Sequence, residues 1–428
     1  MAYSEIERAD RDELSERQLD RLRDTLERAG EVPFYARAFE EAGVGVDDLE
    51  TLSDLTAFPF TTKADFRAEY PDGLFAVDWD DVARVHASSG TSGKPKVVSY
   101  TDADLDLWGE VVARSLVAAG VSETDVVQNA YGYGLFTGGL GLHAGLEELG
   151  AAVVPTGGGD TARQIETMRD LGSDVLCCTP SYCLYLAEAA EERGHDPRDL
   201  PIERVVIGAE PFTDPMRAAI EDRLDVTAVD IYGLSEVIGP GVSIECAEAQ
   251  DGLHVWEDHF LPEVIDPETG ERLPPGEEGE LVLTTLTKEA LPVVRYRTGD
   301  VTSLRYEECA CGRTSVRMDN VTGRTDDLLI VRGVNVYPSR IEEAVVAVDA
   351  VAPHYRIDLR RGDDGLDRIE LTVETQPGFA GDLSALRDRL HDRVSEALNV
   401  SVDELAVVEH GEIDRTEVGK VKRVYDHR

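Results

Sequence analysis

Ser88-Ser89-Gly90-Thr91-Ser92-Gly93-Lys94-Pro95-Lys96 is the stretch whose residue types most directly suggest chemistry. Small residues let a backbone approach an anion, hydroxyls donate to it and lysine adds charge, so the run suits a polyphosphate. It is not a P-loop, because the spacing Gly-x4-Gly-Lys-Ser/Thr is absent. A second group is made of soft donors. Cys309 and Cys311 alone are too few for a zinc site. Cys246 and His254, upstream, would complete three sulfurs and one imidazole, a usual structural zinc set. Cys177, Cys178 and Cys183 read as core thiols, since free cysteine is often buried. At the carboxyl end Gly419-Lys420-Val421-Lys422-Arg423 is locally basic: residues 415–428 hold five bases and two acids.

Three shorter stretches accompany these: Asp230-Ile231-Tyr232-Gly233-Leu234-Ser235-Glu236, Tyr296-Arg297-Thr298-Gly299-Asp300 and Gly323-Arg324-Thr325-Asp326-Asp327. Each is weak alone. In this order, over nearly the whole chain, they resemble the acyl-adenylate-forming (AMP-binding) enzymes. The runs Ala130–Gly139, Gly208–Pro211, Ile231–Gly241, Trp256–Phe260, Leu286–Ala290 and Arg332–Pro338 are similar to the branch that joins aryl-acetic acids to coenzyme A.

The resemblance implies an ATP-, Mg²⁺- and coenzyme A-dependent acid–thiol ligase that forms an acyl-adenylate and releases AMP and pyrophosphate. It implies phenylacetate as the first acid, with indole-acetate or a benzoate-like acid as others. It places Ser88, Ser89, Gly90, Thr91, Ser92, Gly93 and Lys94 on the β- and γ-phosphates. Tyr232 would stack on adenine, beside Asp230 and Gly233. Gly208, Ala209 and Glu210 would line the base pocket, and Ser235 would touch the α-phosphate region. Glu236 would ligate Mg²⁺, which suits a hard oxygen donor. Asp300 would accept from the ribose hydroxyls with Arg324 assisting. Tyr131, Phe136, Gly208 and Pro240 would form the acid pocket, since aromatic and small residues suit a flat apolar ring. Lys420 is the implied catalytic lysine, with Lys422 second, Asp326 the hinge and Gly333 on the face that meets coenzyme A. Some relatives with a cysteine-rich turn at this place carry a zinc site. Two other readings stand beside this one: a synthetase of the same branch that transfers AMP to a deazaflavin hydroxyl (coenzyme F390), and a non-catalytic nucleotide sensor.

Elements must position these groups. Short apolar runs at 151–156, 174–179, 204–209 and 227–232 suggest buried parallel strands. Helical patterns near 161–171, 181–193 and 213–223 separate them, which argues for a parallel α/β sheet. Ligands in such sheets sit at the carboxyl ends of the strands. Residues 4–29 read as one charged helix with Leu19, Leu22 and Leu26 on its apolar stripe. Residues 253–305 read as β-rich, with strands at 279–286 and 300–306. The last hundred residues alternate strands at 327–333, 354–360, 368–375 and 406–410 with helices near 339–348 and along Leu383–Leu398. The expectation is an α/β protein: a large amino-terminal domain, 1–325, with parallel sheets and a β-rich subdomain, and a small mobile α+β domain, 326–428.

Composition bounds the setting. The 428 residues carry 86 acids and 42 bases, a formal charge of −44, which disfavours nucleic acid or an anionic membrane as partner. Of the bases only Lys63, Lys94, Lys96, Lys288, Lys420 and Lys422 are lysine. An acid-rich, lysine-poor surface points to a very salty cytosol, where ions screen self-repulsion, and so to a halophilic archaeon. The start lacks a secretory pattern, and the glycine-rich stretch Gly134–Leu146 is too short to span a bilayer. A cytoplasmic protein follows, with a homodimer the expectation by analogy.

Overall fold

The computed structural model describes residues 2–88, 94–325, 329–332, 334–362, 366–398, 400–415 and 421–428. Among these, strands form a nine-stranded sheet in the order 304–305, 317–318, 253–255, 238–245, 227–234, 204–208, 175–178, 126–129 and 152–154. The last five run parallel, as the apolar runs suggest. Val205, Val206 and Ile207 are fully buried between helices on the two faces, which explains why these strands lack alternation. Ile238–Glu245 then returns antiparallel to Thr227–Leu234. The turn between them is tight, closed by Val237 N–H to the Leu234 carbonyl at 3.1 Å. A turn this short can join only antiparallel neighbours, so the sheet is mixed.

The amino-terminal stretch is two elements. A short 3-10 turn, Glu5–Arg8, is followed by the helix Arg11–Gly30. Asp10 breaks the run by accepting from Glu13 N–H at 2.9 Å, a helix cap that needs an extended backbone at that residue. Leu22 and Leu26 are fully buried. The strand expected at 300–306 also divides. Tyr296–Thr302 joins an antiparallel four-stranded sheet with Phe260–Ile265, Gly279–Thr285 and Gly323–Arg324, while Leu304–Arg305 edges the large sheet.

Among the described residues the helices Pro33–Ala42, Lys63–Ala68, Asp102–Ala118 and Gly138–Leu149 have no counterpart in the sequence reading. Gly138–Leu149 is helical despite its glycines, and the glycines serve packing. A Cβ on Gly141 would lie 2.5 Å from the Trp108 ring, and one on Gly145 2.2 Å from Val112. Both partners belong to the helix Asp102–Ala118, so the small residues let two helices approach closely.

The carboxyl-terminal elements have their own core, from Leu329 to Leu405, with Ile341, Ile357, Val373 and Leu390 at its centre. Their sheet runs 404–408, 367–375, 351–361, 424–426, with the long central hairpin antiparallel and both edges parallel. Among the described residues no helix is long and apolar enough to cross a membrane.

Candidate active site

The strand Thr227–Leu234 and the turn after it carry five expected site residues, Asp230, Tyr232, Gly233, Ser235 and Glu236. Tyr232 donates to Asp300 Oδ2 at 2.6 Å. The Arg324 guanidinium pairs with Asp300 Oδ1 and donates to the Thr298 carbonyl at 3.1 Å. Register explains the pairing: Asp300 lies opposite Arg324 across two antiparallel strands. Tyr232, Asp300 and Arg324, distant in sequence, therefore form one hydrogen-bonded chain. Burial, then the Asp300 carboxylate, pushes the Tyr232 phenol upward, so it stays a donor.

Glu236 is nearly fully buried in the turn. Its Oε1 accepts from Tyr296 at 2.8 Å and pairs with the Lys96 ammonium. Tyr296 belongs to a motif noted in the sequence, and Lys96 ends the phosphate-like run. Their grip on Glu236 was not readable there, because it needs three segments to converge. Lys288 is a further case. Fully buried, it donates to the Val237 carbonyl at 3.0 Å and lies 4.5 Å over the Tyr100 ring. Burial pulls its ammonium down to about 8. Tyr100 donates to the Ser235 carbonyl at 3.4 Å. Both residues thus hold the turn that presents Glu236. Ser235 Oγ lies 3.3 Å from Thr137 Oγ1.

Other expected residues have more structural surroundings. Tyr131 is buried and donates to the carbonyls of Cys178 at 2.6 Å and Gly208 at 3.2 Å. A Cβ on Gly208 would lie 2.2 Å from the Ile231 carbonyl, and one on Gly233 2.5 Å from the Ile238 carbonyl, so both glycines serve close strand approach. Ala209 has φ 69°. Pro240 accepts the Trp108 indole N–H at 2.9 Å. Phe136 is 39% exposed, outside the buried group around Tyr131. Asp230 accepts from the Asn320 amide at 3.1 Å, and burial beside Glu245 raises its carboxyl. Glu210 holds Ser181, whose hydroxyl donates at 2.6 Å, and accepts Val421 N–H at 3.0 Å. Lys94 stands 4.9 Å over the Tyr70 ring. Ser88 ends the strand Arg84–Ser88. Ser89, Gly90, Thr91, Ser92, Gly93, Asp326, Gly333 and Lys420 lie outside the described residues.

The soft donors converge. One ligand atom each of Cys246, His254, Cys309 and Cys311 lies within 4.8 Å of all the others. The Cys246 and Cys309 sulfurs are 3.8 Å apart, and Cys311 Sγ is 3.5 Å from His254 Nε2. Ligands at about 2.0–2.3 Å from a tetrahedral centre are separated by about 3.3–3.8 Å, so the spacing fits zinc. His254 Nδ1 meets Ser315 Oγ at 3.1 Å, the kind of outer contact that orients a ligating imidazole.

A family profile described as AMP-binding enzyme matches residues 29–286, and one described as AMP-binding enzyme C-terminal domain matches residues 333–428. The chain is 50% identical over 445 residues to phenylacetate-coenzyme A ligase of Thermus thermophilus, covering all of both chains. It is 50% identical over 430 residues to the Escherichia coli K12 phenylacetate-coenzyme A ligase, covering 99% of this chain and 97% of that one. The chain belongs to the phenylacetate–coenzyme A ligase family of AMP-binding enzymes. With that membership, neither the deazaflavin-modifying nor the sensor reading is favoured. Among solved structures, 2-hydroxyisobutyryl-CoA ligase in the postadenylation state superposes on this family member with a TM-score of 0.92 at 29% identity, covering 98% of this chain and 91% of that one. The same ligase in the thioesterification state gives 0.72 at the same coverage. The arrangement of amino- and carboxyl-terminal parts seen here therefore matches that ligase's first structure more nearly than its second.

Proposed function

We propose that this chain joins phenylacetate to coenzyme A in two steps. A phenylacetate oxygen attacks the α-phosphorus of ATP, the bond to the β-phosphate breaks and pyrophosphate leaves with the electron pair. The coenzyme A thiolate then attacks the acyl carbon and AMP leaves. Positioning and charge neutralisation dominate the first step. The observation that carries the reading is the Tyr232–Asp300–Arg324 chain, three residues of separate motifs joined beside the Glu236 turn in a chain matched end to end by such ligases.

Asp300 is suited to hold the ribose hydroxyls, with Tyr232 and Arg324 fixing its carboxylate. Asp230, Gly208, Ala209, Glu210 and Gly233 border the adenine, and Ser235 faces the α-phosphate. Glu236 would supply one carboxylate to Mg²⁺, which commonly takes one or two carboxylates plus phosphate oxygens. Lys96, paired with Glu236, would add positive charge near the phosphates expected at residues 88–94. Tyr131, Phe136, Gly208 and Pro240 receive the aromatic ring. Lys420 bridges the acid and the α-phosphate on a mobile domain, 326–428, that turns about Asp326 and brings Gly333 to coenzyme A. Cys246, His254, Cys309 and Cys311 would hold Zn²⁺ in a structural role. The charge of −44 suits work in a salt-rich cytoplasm.

The test is pyrophosphate release over a panel of aromatic acids at molar salt. Phenylacetate should give the highest kcat/KM, with AMP formed in step with thioester only when coenzyme A is present. Lys420→Ala should lower adenylate formation by roughly a hundredfold or more while ATP still binds. Unchanged turnover would remove Lys420 from the chemistry, and a preference for indole-acetate would replace the acid.

A further inference from the structure

Asn129 ends the strand Val126–Asn129, at the carboxyl edge of the parallel strands, where ligands of such sheets sit. It is fully buried, and its side-chain hydrogen bonds all go to the stretch 131–139. Oδ1 accepts Tyr131 N–H at 3.2 Å. Nδ2 donates to the Tyr133 hydroxyl at 2.9 Å and to the Gly139 carbonyl at 2.9 Å. A backbone N–H only donates and a carbonyl only accepts, so the amide has a single orientation here. The Asn129 backbone carbonyl accepts Gly157 N–H at 3.0 Å and the Thr156 hydroxyl at 3.2 Å, which fixes the residue itself. Burial pushes the Tyr133 phenol up to about 12. Its hydrogen therefore stays in place and can be given to His143 Nδ1 at 3.2 Å.

These bonds reach the start, the middle and the end of one loop. Its two ends also meet directly. A Cβ on Gly139 would lie 2.5 Å from the Gly132 carbonyl and 3.0 Å from that of Tyr131. A Cβ on Gly138 would lie 2.8 Å from the Phe136 ring and 3.6 Å from the Tyr131 ring. The two aromatic side chains expected to wall the acid pocket therefore converge on one glycine, and Asn129 ties the residue after it. We infer that Asn129 is a positioning residue for acid selection: it sets the span of the loop 131–139 and so the gap in which Tyr131 and Phe136 receive an aromatic ring. The inference rests on the functional reading above for the acid pocket. A buried amide that served the core at large would spread its bonds over several elements. Here all of them close one loop, the one that carries both rings. Moving either ring wall would misplace the bound carboxylate, and adenylation depends on how that group is held. An aspartate has nearly the same shape but turns an acceptor toward the Gly139 carbonyl, which offers no hydrogen. The bond to the far end of the loop would then be lost and a repulsion would stand in its place.

The experiment compares full-length wild type, Asn129→Asp and Tyr133→Phe. It measures kcat and KM for phenylacetate, indole-acetate and ATP, and hydrogen exchange in peptides covering 131–139. Tyr133→Phe keeps the ring and removes one of the amide's partners. It should raise the phenylacetate KM by roughly fivefold, with kcat and the KM for ATP within about twofold. The ratio of kcat/KM for indole-acetate to that for phenylacetate should rise by roughly the same factor, because a looser gap favours the larger ring. Asn129→Asp should move every one of these readings further in the same direction, and exchange in the loop should quicken in both variants. Thermal unfolding checks that each variant folds. Unchanged acid KM and acid preference in a folded Asn129→Asp protein, or in Tyr133→Phe should the first not fold, would overturn the inference. Equal rises in KM for acid and ATP would also overturn it, since a merely structural residue would act on both. A wild type that adenylates no aromatic acid would instead overturn the functional reading and with it the role in acid selection, while unchanged exchange in both variants would overturn the hold on the loop.

Discussion

Between the strands Arg204–Gly208 and Thr227–Leu234 the amino-terminal part packs Val205, Val206, Ile207, Ala228 and Val229, all fully buried. Between the helix Pro180–Glu192 and the strand Val351–Arg361, contact across the seam is made by Glu188, His354 and Arg415, with Glu210 on Val421 nearby. One boundary is closed by hydrocarbon and the other by charge. Water can replace the partners of an ion pair when the two sides part, so separation recovers solvation. Water cannot replace hydrocarbon contacts, and each Å² of apolar surface exposed costs about 25 cal/mol. The site groups Tyr232, Asp300 and Glu236 thus stand on a body packed by hydrocarbon, while His354 and Arg415 meet it through contacts whose partners water can replace.

This contrast can be broken from the hydrocarbon side first. Ile207→Ala should cost about 3–4 kcal/mol of stability by denaturant unfolding, from lost burial plus a cavity, with the ratio of the two half-reactions unchanged. A change in that ratio would mean the closed body is not rigid. The Cys246–His254–Cys309–Cys311 group sharpens the same side. The purified protein should hold about one zinc without added metal, and Cys309→Ser should hold less than about a tenth. Chelation should lower stability by roughly 2–3 kcal/mol relative to a hundredfold excess of zinc over its Kd, again without altering the half-reaction ratio. The smallest effect belongs to the charged seam. Burial opposes ionisation of Glu188, but His354, Arg415 and Arg223 prevail and hold its carboxyl at about 2, against an ordinary 4.5. Its folded value is depressed, so its contribution is complete above about pH 4.5 and is lost as pH falls through about 2. Wild type should lose roughly 1–2 kcal/mol across that window relative to Glu188→Gln. Parallel acid-unfolding curves would show that the seam adds nothing.

The sequence made the parallel strands and the carboxyl-terminal helices legible because each is written locally, in apolar runs or a helical stripe. Leu386, Leu390 and Val394 are buried as that stripe requires. It misread what depends on another element. The glycines of Gly138–Leu149 look like turn residues until Trp108 and Val112 lie against them. Tyr232, Asp300 and Glu236 could be picked out by motif. Their bonding to one another, to Lys96 and to Tyr296 is a matter of strand register and hairpin geometry, which no local pattern encodes. The four zinc-type donors were readable from residue type alone, since few buried arrangements need three thiols and an imidazole. Glu188 was not, because an acid in a helix of an acid-rich chain carries no mark until His354 and Arg415 meet it.

The scarcity of lysine bears on self-damage. An acyl-adenylate is a mixed anhydride, and a free amine beside it is a nucleophile that it will acylate. Guanidinium stays protonated at any physiological pH and does not compete. A ligase whose cations are almost all arginine offers its own intermediate few targets. Among the lysines it keeps, Lys96 is engaged by Glu236 and Lys288 is sealed under Val237 and Tyr100. Amines survive here mainly where the reaction has use for a compact charge, and the protein is spared slow modification by what it makes.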